Sequence, residues 1–142
     1  MPTPVRPVTV LFACVHNAGR SQMAAALFNE AVDPSRARAI SAGTRPGPAV
    51  HPEVVEVMRE IGIDLTGAKP GLLDAGLAAR AALLVTMGCG EECPVVPGVE
   101  RVDWPLDDPA GRPLAEVRRI RDEIWRRVEA LARRRGWVVP DA

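Results

Sequence analysis

Tyrosine is missing from this 142-residue chain, and aromatic residues supply only 4% of it. Net charge is missing as well: 18 basic residues, of which only Lys69 is lysine, balance 18 acidic ones. Overall charge therefore gives no reason to expect nucleic acid or a membrane surface as a partner. No apolar run approaches the roughly 20 residues that cross a bilayer. The opening Met1-Pro-Thr-Pro-Val-Arg-Pro7 lacks a basic start followed by an apolar core, so no export signal is expected and a cytoplasmic location is. Cysteine is scarce, with three in all, an odd number and too few for a disulfide-stapled secreted scaffold. Only His16 and His51 accompany them, without a second close pair, which makes a zinc centre a weak reading; no metal is expected. Repeats and low-complexity tracts are absent. The chain is expected to form a single domain over residues 1–142, with the Pro-rich residues 1–7 as a loose lead-in.

Apolar periodicity organises what remains. Val8–Ala13 is an almost unbroken apolar run, the mark of a strand buried on both faces. A helix is expected from Arg20 to about Val32, with Met23, Ala24, Leu27, Phe28 and Ala31 on one face and Asp33-Pro34 ending it. Arg38–Thr44 reads as a second strand and Thr44–Pro48 as a loop. Pro52 suits the first turn of a helix and Gly62 its C-terminal end. Leu72–Ala79 reads as a shorter helix, Ala81–Met87 as a buried strand and Val99–Trp104 as a fourth strand. Leu114–Arg135 reads as a long helix striped by Val117, Ile120, Ile124, Val128 and Leu131. Its many arginines alternate with acids, including Asp122 to Arg126, Glu123 to Arg127 and Glu129 to Arg133, which describes a solvated outer face. Strands alternating with helices imply βαβ units, a parallel sheet and helices on both faces. Ligands of such sheets bind beyond the C-terminal strand ends, where the strand order reverses. Cys14, Cys89 and the Asp107-Asp108 loop all follow predicted strands, so they are expected at one edge.

The stretch Val10-Leu-Phe-Ala-Cys-Val-His-Asn-Ala-Gly-Arg-Ser-Gln-Met23 carries the chemistry. It reads as strand, anion-cradling loop and helix N-terminus. Val15, His16, Asn17, Ala18, Gly19, Arg20 and Ser21 would offer their donors to one oxyanion, aided by the helix dipole. Cys14 stands at the base of the loop, where the same amides and Arg20 favour its thiolate. The planar fork of Arg20 suits two oxygens of a tetrahedral anion. Asn17 tolerates left-handed backbone geometry, and Ser21 is placed to donate to the Cys14 sulfur. Asp108, before Pro109, either forms a turn or protonates a departing oxygen. The bland description of Cys14 is an inert thiol at a strand end. A Cys and an Arg bracketing a turn with Asn17, Gly19 and Ser21 favour a nucleophile aimed at a phosphate-like group. Cys89 and Cys93 are open to three readings at this point: metal ligands, unrelated buried thiols, or redox partners of Cys14.

The string C-V-H-N-A-G-R-S resembles the signature loop of the low-molecular-weight protein tyrosine phosphatases, and C-V-H-N-A-G-R-S-Q-M-A resembles that of their arsenate reductase branch. The resemblance runs from Val8 to about Trp137. T-M-G-C-G-E-E-C-P and the later W-P-L-D-D-P-A-G are similar to the redox and acid loops of thioredoxin-linked arsenate reductases. The resemblance implies a three-layer α/β fold with a four-stranded parallel sheet flanked by helices. It implies reduction of arsenate to arsenite for arsenic detoxification, with Cys14 as nucleophile, Arg20 on the oxyanion and Asp108 as general acid. A Cys14–Cys89 disulfide, then a Cys89–Cys93 disulfide presented to thioredoxin, is the implied relay; a monomer is the default expectation. Gly88 and Gly90 flank Cys89 and permit loop movement. The alternative is a phosphatase of this family that hydrolyses phosphate monoesters through a phosphocysteine, using only Cys14, Arg20 and Asp108. Three residues separate the two redox cysteines where better-known members have six. Ala110-Gly111 replaces the aromatic pair that phosphatases carry after Asp-Pro. Of the family's potassium site, Asn17, Ser41 and Asp64 match, but Ala25 stands at the Glu position, so no cofactor is expected.

Overall fold

β1 (Val8–Cys14) runs through the middle of a four-stranded parallel sheet. The computed structural model describes residues 7–89, 93 and 96–138; residues 1–6 of the expected lead-in and Gly90 lie outside the described residues. The apolar run of β1 is buried on both faces, and Val10 to Ala13 are fully enclosed. α1 (Arg20–Ala31) carries the chain to β2 (Ala37–Gly43), which pairs with one edge of β1 from Val8↔Ala37 to Cys14↔Gly43. α2 (Pro52–Arg59) and the short α3 (Ala75–Ala79) lead to β3 (Leu83–Thr86) on the other edge of β1. β4 (Glu100–Asp103) lies outside β3, and α4 (Leu114–Arg135) follows. The order β2-β1-β3-β4 changes direction at β1, so the C-terminal end of β1 is the switch point.

Alternation along β1 divides the interior. Val10, Phe12 and Cys14 face the layer built by α1, α2 and α4. Leu11 and Ala13 face the thinner layer of α3, which also holds Cys89 and Cys93. The few aromatics are concentrated: Trp104, Phe12, Phe28 and Trp137 form a chain with successive ring centroids 5.7, 5.7 and 5.8 Å apart. Tilted and edge-on pairs of this kind contribute about 0.5–1.5 kcal/mol each beyond the area they bury. They fasten α1 and the segment after α4 to the central strand.

Helix ends follow their local chemistry. Pro52 occupies the first turn of α2, with Glu53 near its N-terminus and Arg59 near its C-terminus. Gly136, at φ 74°, caps α4 in the left-handed conformation. The expected Leu72–Ala79 helix is shorter than its pattern. Asp74 accepts from Leu77 N at 2.7 Å and starts the helix at Ala75, while Leu72 bridges to Gly43.

The expectation of a fully solvated arginine face on α4 is corrected at Arg121. That side chain turns inward, is only 9% exposed, and donates to Val57 O at 2.8 Å and Glu60 Oε1 at 3.0 Å. Asp122 pairs with Arg121 at 2.9 Å instead of with Arg126, and Arg126 turns to Glu123. The Glu123–Arg127 and Glu129–Arg133 pairs form as expected, at 3.1 and 3.6 Å. Glu60 thus ties α2 to α4 through Arg118 and Arg121, and the hydrogen bond from Arg118, more than that from Arg121, holds its carboxyl below the usual carboxylate range. A carboxyl lowered by folding stabilises the fold above its unfolded value, and that contribution is lost as pH falls through its folded value. Glu60→Gln is therefore expected to lower the melting temperature at neutral pH. The gap from wild type should narrow as pH falls below the ordinary carboxylate range, in melting curves recorded across pH.

Candidate active site

The loop after β1 is defined by where its carbonyls go. Cys14 O accepts from Thr44 N (3.2 Å), Val15 O from Arg45 N (2.8 Å), His16 O from Gly47 N (2.9 Å) and Ala18 O from His51 N (2.9 Å). Asn17 O accepts from Gln22 Nε2 at 3.1 Å, and Gly19 O from Met23 N at 3.0 Å. Across a planar trans peptide the next N–H points opposite to the carbonyl. The N–H groups of Val15 to Arg20 are therefore turned to the concave side. That of Asn17 donates to Cys14 Sγ at 3.3 Å. Asn17 is the one non-glycine among the described residues with positive φ, 51°, a conformation that Asn tolerates better than most residues.

Cys14 is a free, buried thiol at the floor of this cradle. Ser21 Oγ lies 2.8 Å from its sulfur and 2.7 Å from Asn17 Nδ2. Gly19 caps α1 without a side-chain acceptor, so the first turn presents its N–H groups to whatever anion enters. Gly43 closes the cradle from behind. A Cβ there would sit 2.5 Å from Val15 O and 2.8 Å from Asn17 N, too close for any side chain.

Arg20 faces the loop after β4. Its Nη1 donates to Leu106 O at 2.9 Å, and Nη2 is 3.9 Å from Asp108 Oδ2. Gly88, at φ 101°, makes room for it, since a Cβ there would overlap Arg20 Nη1. Asp108 Oδ1 accepts from Ala110 N at 2.9 Å, which leaves the other carboxyl oxygen toward Arg20 and the cradle mouth. Pro109 lies against Gly19, where an added Cβ would be 2.8 Å from Pro109 Cγ. Asp107 pairs with Arg119 at 3.5 Å, away from the cradle.

The third cluster is the cysteine pair. Met87 N donates to Ala13 O at 2.8 Å, so the segment after β3 stays beside β1 up to the residue before Cys14. Cys89 Sγ lies 3.9 Å from that same carbonyl. Cys89 and Cys93 form a disulfide with Cα atoms 5.5 Å apart, in the range such bonds require. The fold thus brings Cys14, Asn17, Arg20, Ser21, Asp108 and Cys89 to one end of the sheet. His16 contributes only backbone: its side chain is exposed and lines a hollow beside the cradle with Ala18, Gly47 and His51.

Asn17, Ala25, Ser41 and Asp64 are the positions at which the family resemblance would put a potassium site. Ala25 offers no side-chain oxygen, and Asn17 Oδ1 already accepts from Gly71 N at 2.9 Å and Gln22 Nε2 at 3.1 Å. Asp64 Oδ1 accepts from Thr66 N and Oγ1, at 2.9 and 2.6 Å. Four contributors have roles that the sequence reading did not assign: Gly43, Gln22, the 44–51 segment that takes the carbonyls, and Gly88, which was expected to permit loop movement and instead makes room for Arg20. Gly43, Gly88 and the 44–51 segment meet partners remote in the chain, and Gln22 joins nearby Asn17 to distant Lys69. Gly43→Ala tests the cradle directly. Inorganic phosphate is expected to raise the melting temperature of the wild type in a concentration-dependent way, and this rise should be lost in Gly43→Ala.

Residues 9–136 match the low molecular weight phosphotyrosine protein phosphatase family. The chain is 41% identical over 122 residues to a putative arsenate reductase of Halobacterium salinarum, covering 82% of this chain and 85% of that protein. A Corynebacterium glutamicum thioredoxin-dependent arsenate reductase superposes with a TM-score of 0.78 at 36% identity; the match covers 91% of this chain but spans only 62% of that one. The low molecular weight protein tyrosine phosphatase of T. tengcongensis shares the fold at a TM-score of 0.78 and 24% identity, over 89% of this chain and 99% of that one. With its cradle, strand order and nearly full-length match, the chain belongs to the low molecular weight phosphotyrosine protein phosphatase family.

Proposed function

We propose that this protein reduces arsenate to arsenite by a relay through Cys14, Cys89 and Cys93. The observation that carries this reading is the Cys89–Cys93 disulfide on the segment held against β1 next to Cys14. Ester hydrolysis on this cradle needs one thiol, whereas a reductase must supply two electrons. Relatives named as arsenate reductases support the same reading.

The steps follow from the site. Loop amides and Arg20 hold the oxyanion, and the Cys14 thiolate attacks arsenic. Asp108 protonates the departing oxygen, which leaves as water. Cys89 then attacks Cys14 Sγ. The sulfur–arsenic bond breaks with its electron pair on arsenic, so arsenic(V) becomes arsenic(III), and arsenite leaves as the Cys14–Cys89 disulfide forms. Cys93 attacks Cys89, freeing the Cys14 thiolate and leaving the Cys89–Cys93 disulfide. A dithiol of the thioredoxin type returns the two electrons. No step passes through a metal. All the relay residues lie on one chain, so a monomer suffices. A relay reset by a dithiol requires a reducing compartment, which makes the cytoplasm the proposed location; no described helix is long and apolar enough to cross a membrane.

Phosphate monoesters fit the same cradle, and some phosphatase activity accompanies this reading. Ala110-Gly111 after Pro109 offers a phosphotyrosine ring no aromatic wall. In a thioredoxin-coupled assay without small thiols, Cys89→Ser is expected to lower arsenite formation by about two orders of magnitude or more while retaining hydrolysis of a small aryl phosphate. Cys14→Ser should lose both activities. Undiminished arsenite formation by Cys89→Ser would overturn the relay.

A further inference from the structure

Gln22 is a polar side chain only 7% exposed, in the first turn of α1, and the steps above make no use of it. Its Nε2 lies 3.1 Å from Asn17 O and 3.3 Å from Lys69 O. Both are backbone carbonyls, which only accept, so Gln22 must present its NH2 group to them. The same nitrogen is 3.1 Å from one side-chain atom of Asn17, to which Gly71 N also donates at 2.9 Å. An atom met by two donors is the amide oxygen. Asn17 Nδ2 is thereby turned to Ser21 Oγ at 2.7 Å, where it donates. With that contact accepted by Ser21, the hydroxyl proton is left for Cys14 Sγ at 2.8 Å.

We infer that Gln22 is a positioning residue that, together with the Gly71 amide, fixes the direction of a hydrogen-bond chain running Gln22, Asn17, Ser21, Cys14, so that Ser21 donates to the Cys14 sulfur. A donated hydrogen bond favours the thiolate, whereas a hydroxyl turned the other way would accept from the neutral thiol. Lys69 is the far anchor. Its segment is pinned to the end of β2, where Gly43 N donates to Gly71 O and Leu73 N donates to Gly43 O, each at 2.8 Å. Gln22 thus ties the orientation of the nucleophile's partner to the edge of the sheet, through a residue that touches neither substrate nor sulfur.

This inference rests on Cys14 being the nucleophile, and its test uses neither arsenate nor thioredoxin, so it can fail while the relay stands. In the full chain carrying Cys89→Ser and Cys93→Ser, Cys14 is the sole thiol, and its alkylation by iodoacetamide is followed across pH. Gln22→Met keeps the length of the side chain and removes the donors. The alkylation midpoint is expected to move up by about one pH unit, with about tenfold slower alkylation at pH values below it. Ser21→Ala should produce the same shift, and the double substitution no more than either alone, because both act through one hydrogen bond. An unmoved midpoint in folded Gln22→Met, or additive shifts, would overturn the inference. Should Gln22→Met fail to fold, the native chain decides. Slow solvent exchange of the side-chain amide protons of Asn17 and Gln22 is expected, and exchange at the rate of free amides would contradict it.

Discussion

Everything at the functional end of this molecule depends on disposing of the carbonyls from Cys14 to Gly19. A cradle for an oxyanion needs its N–H groups inward, and a peptide plane turned that way aims its carbonyls outward. Outward carbonyls left buried without partners would each cost about 1–3 kcal/mol. Here the 44–51 segment, Gln22 and the start of α1 take all of them. That requirement explains the surroundings. β2 must end beside β1, so that the chain leaving Gly43 runs along the rim. Gly43 has no room for a side chain. The left-handed turn at Asn17 falls where the loop reverses, and Asn17 is braced by Gly71 and Gln22.

The second layer of the design is topological. Because β3 takes the free edge of β1, the segment after β3 arrives beside Cys14, and the two further cysteines come with it. The loop after β4 arrives beyond that and sets Asp108 opposite Arg20. Cys14, Asp108 and the Cys89–Cys93 pair therefore come from three separate strand ends, and the order β2-β1-β3-β4 is what assembles them. The aromatic chain from Trp104 through Phe12 and Phe28 to Trp137 holds the layer beneath.

Much of this was legible in the sequence. The unbroken apolar run of β1, the stripe of α4 and the strand–helix alternation state their structure locally, and Cys14, Arg20 and Ser21 lie close enough in the chain for one turn to unite them. Asn17 was readable for the same reason. Leu72 was not, because its pairing with Gly43 overrides the helical pattern around it. Nor was the inward turn of Arg121, whose partners Val57 and Glu60 lie on another helix. Gly43 and Gly88 act on segments that only the tertiary fold brings near, which hid the role of each, and Gln22 joins nearby Asn17 to distant Lys69.

The central claim is that three thiols of one chain pass two electrons to a bound oxyanion, and a single turnover tests it most directly. Fully reduced protein is mixed with arsenate in the absence of any reductant, arsenite is quantified, and the disulfides are mapped by mass spectrometry. The account predicts about one arsenite per chain, a Cys89–Cys93 bond and a free Cys14. No arsenite, with all three thiols still free, would contradict it.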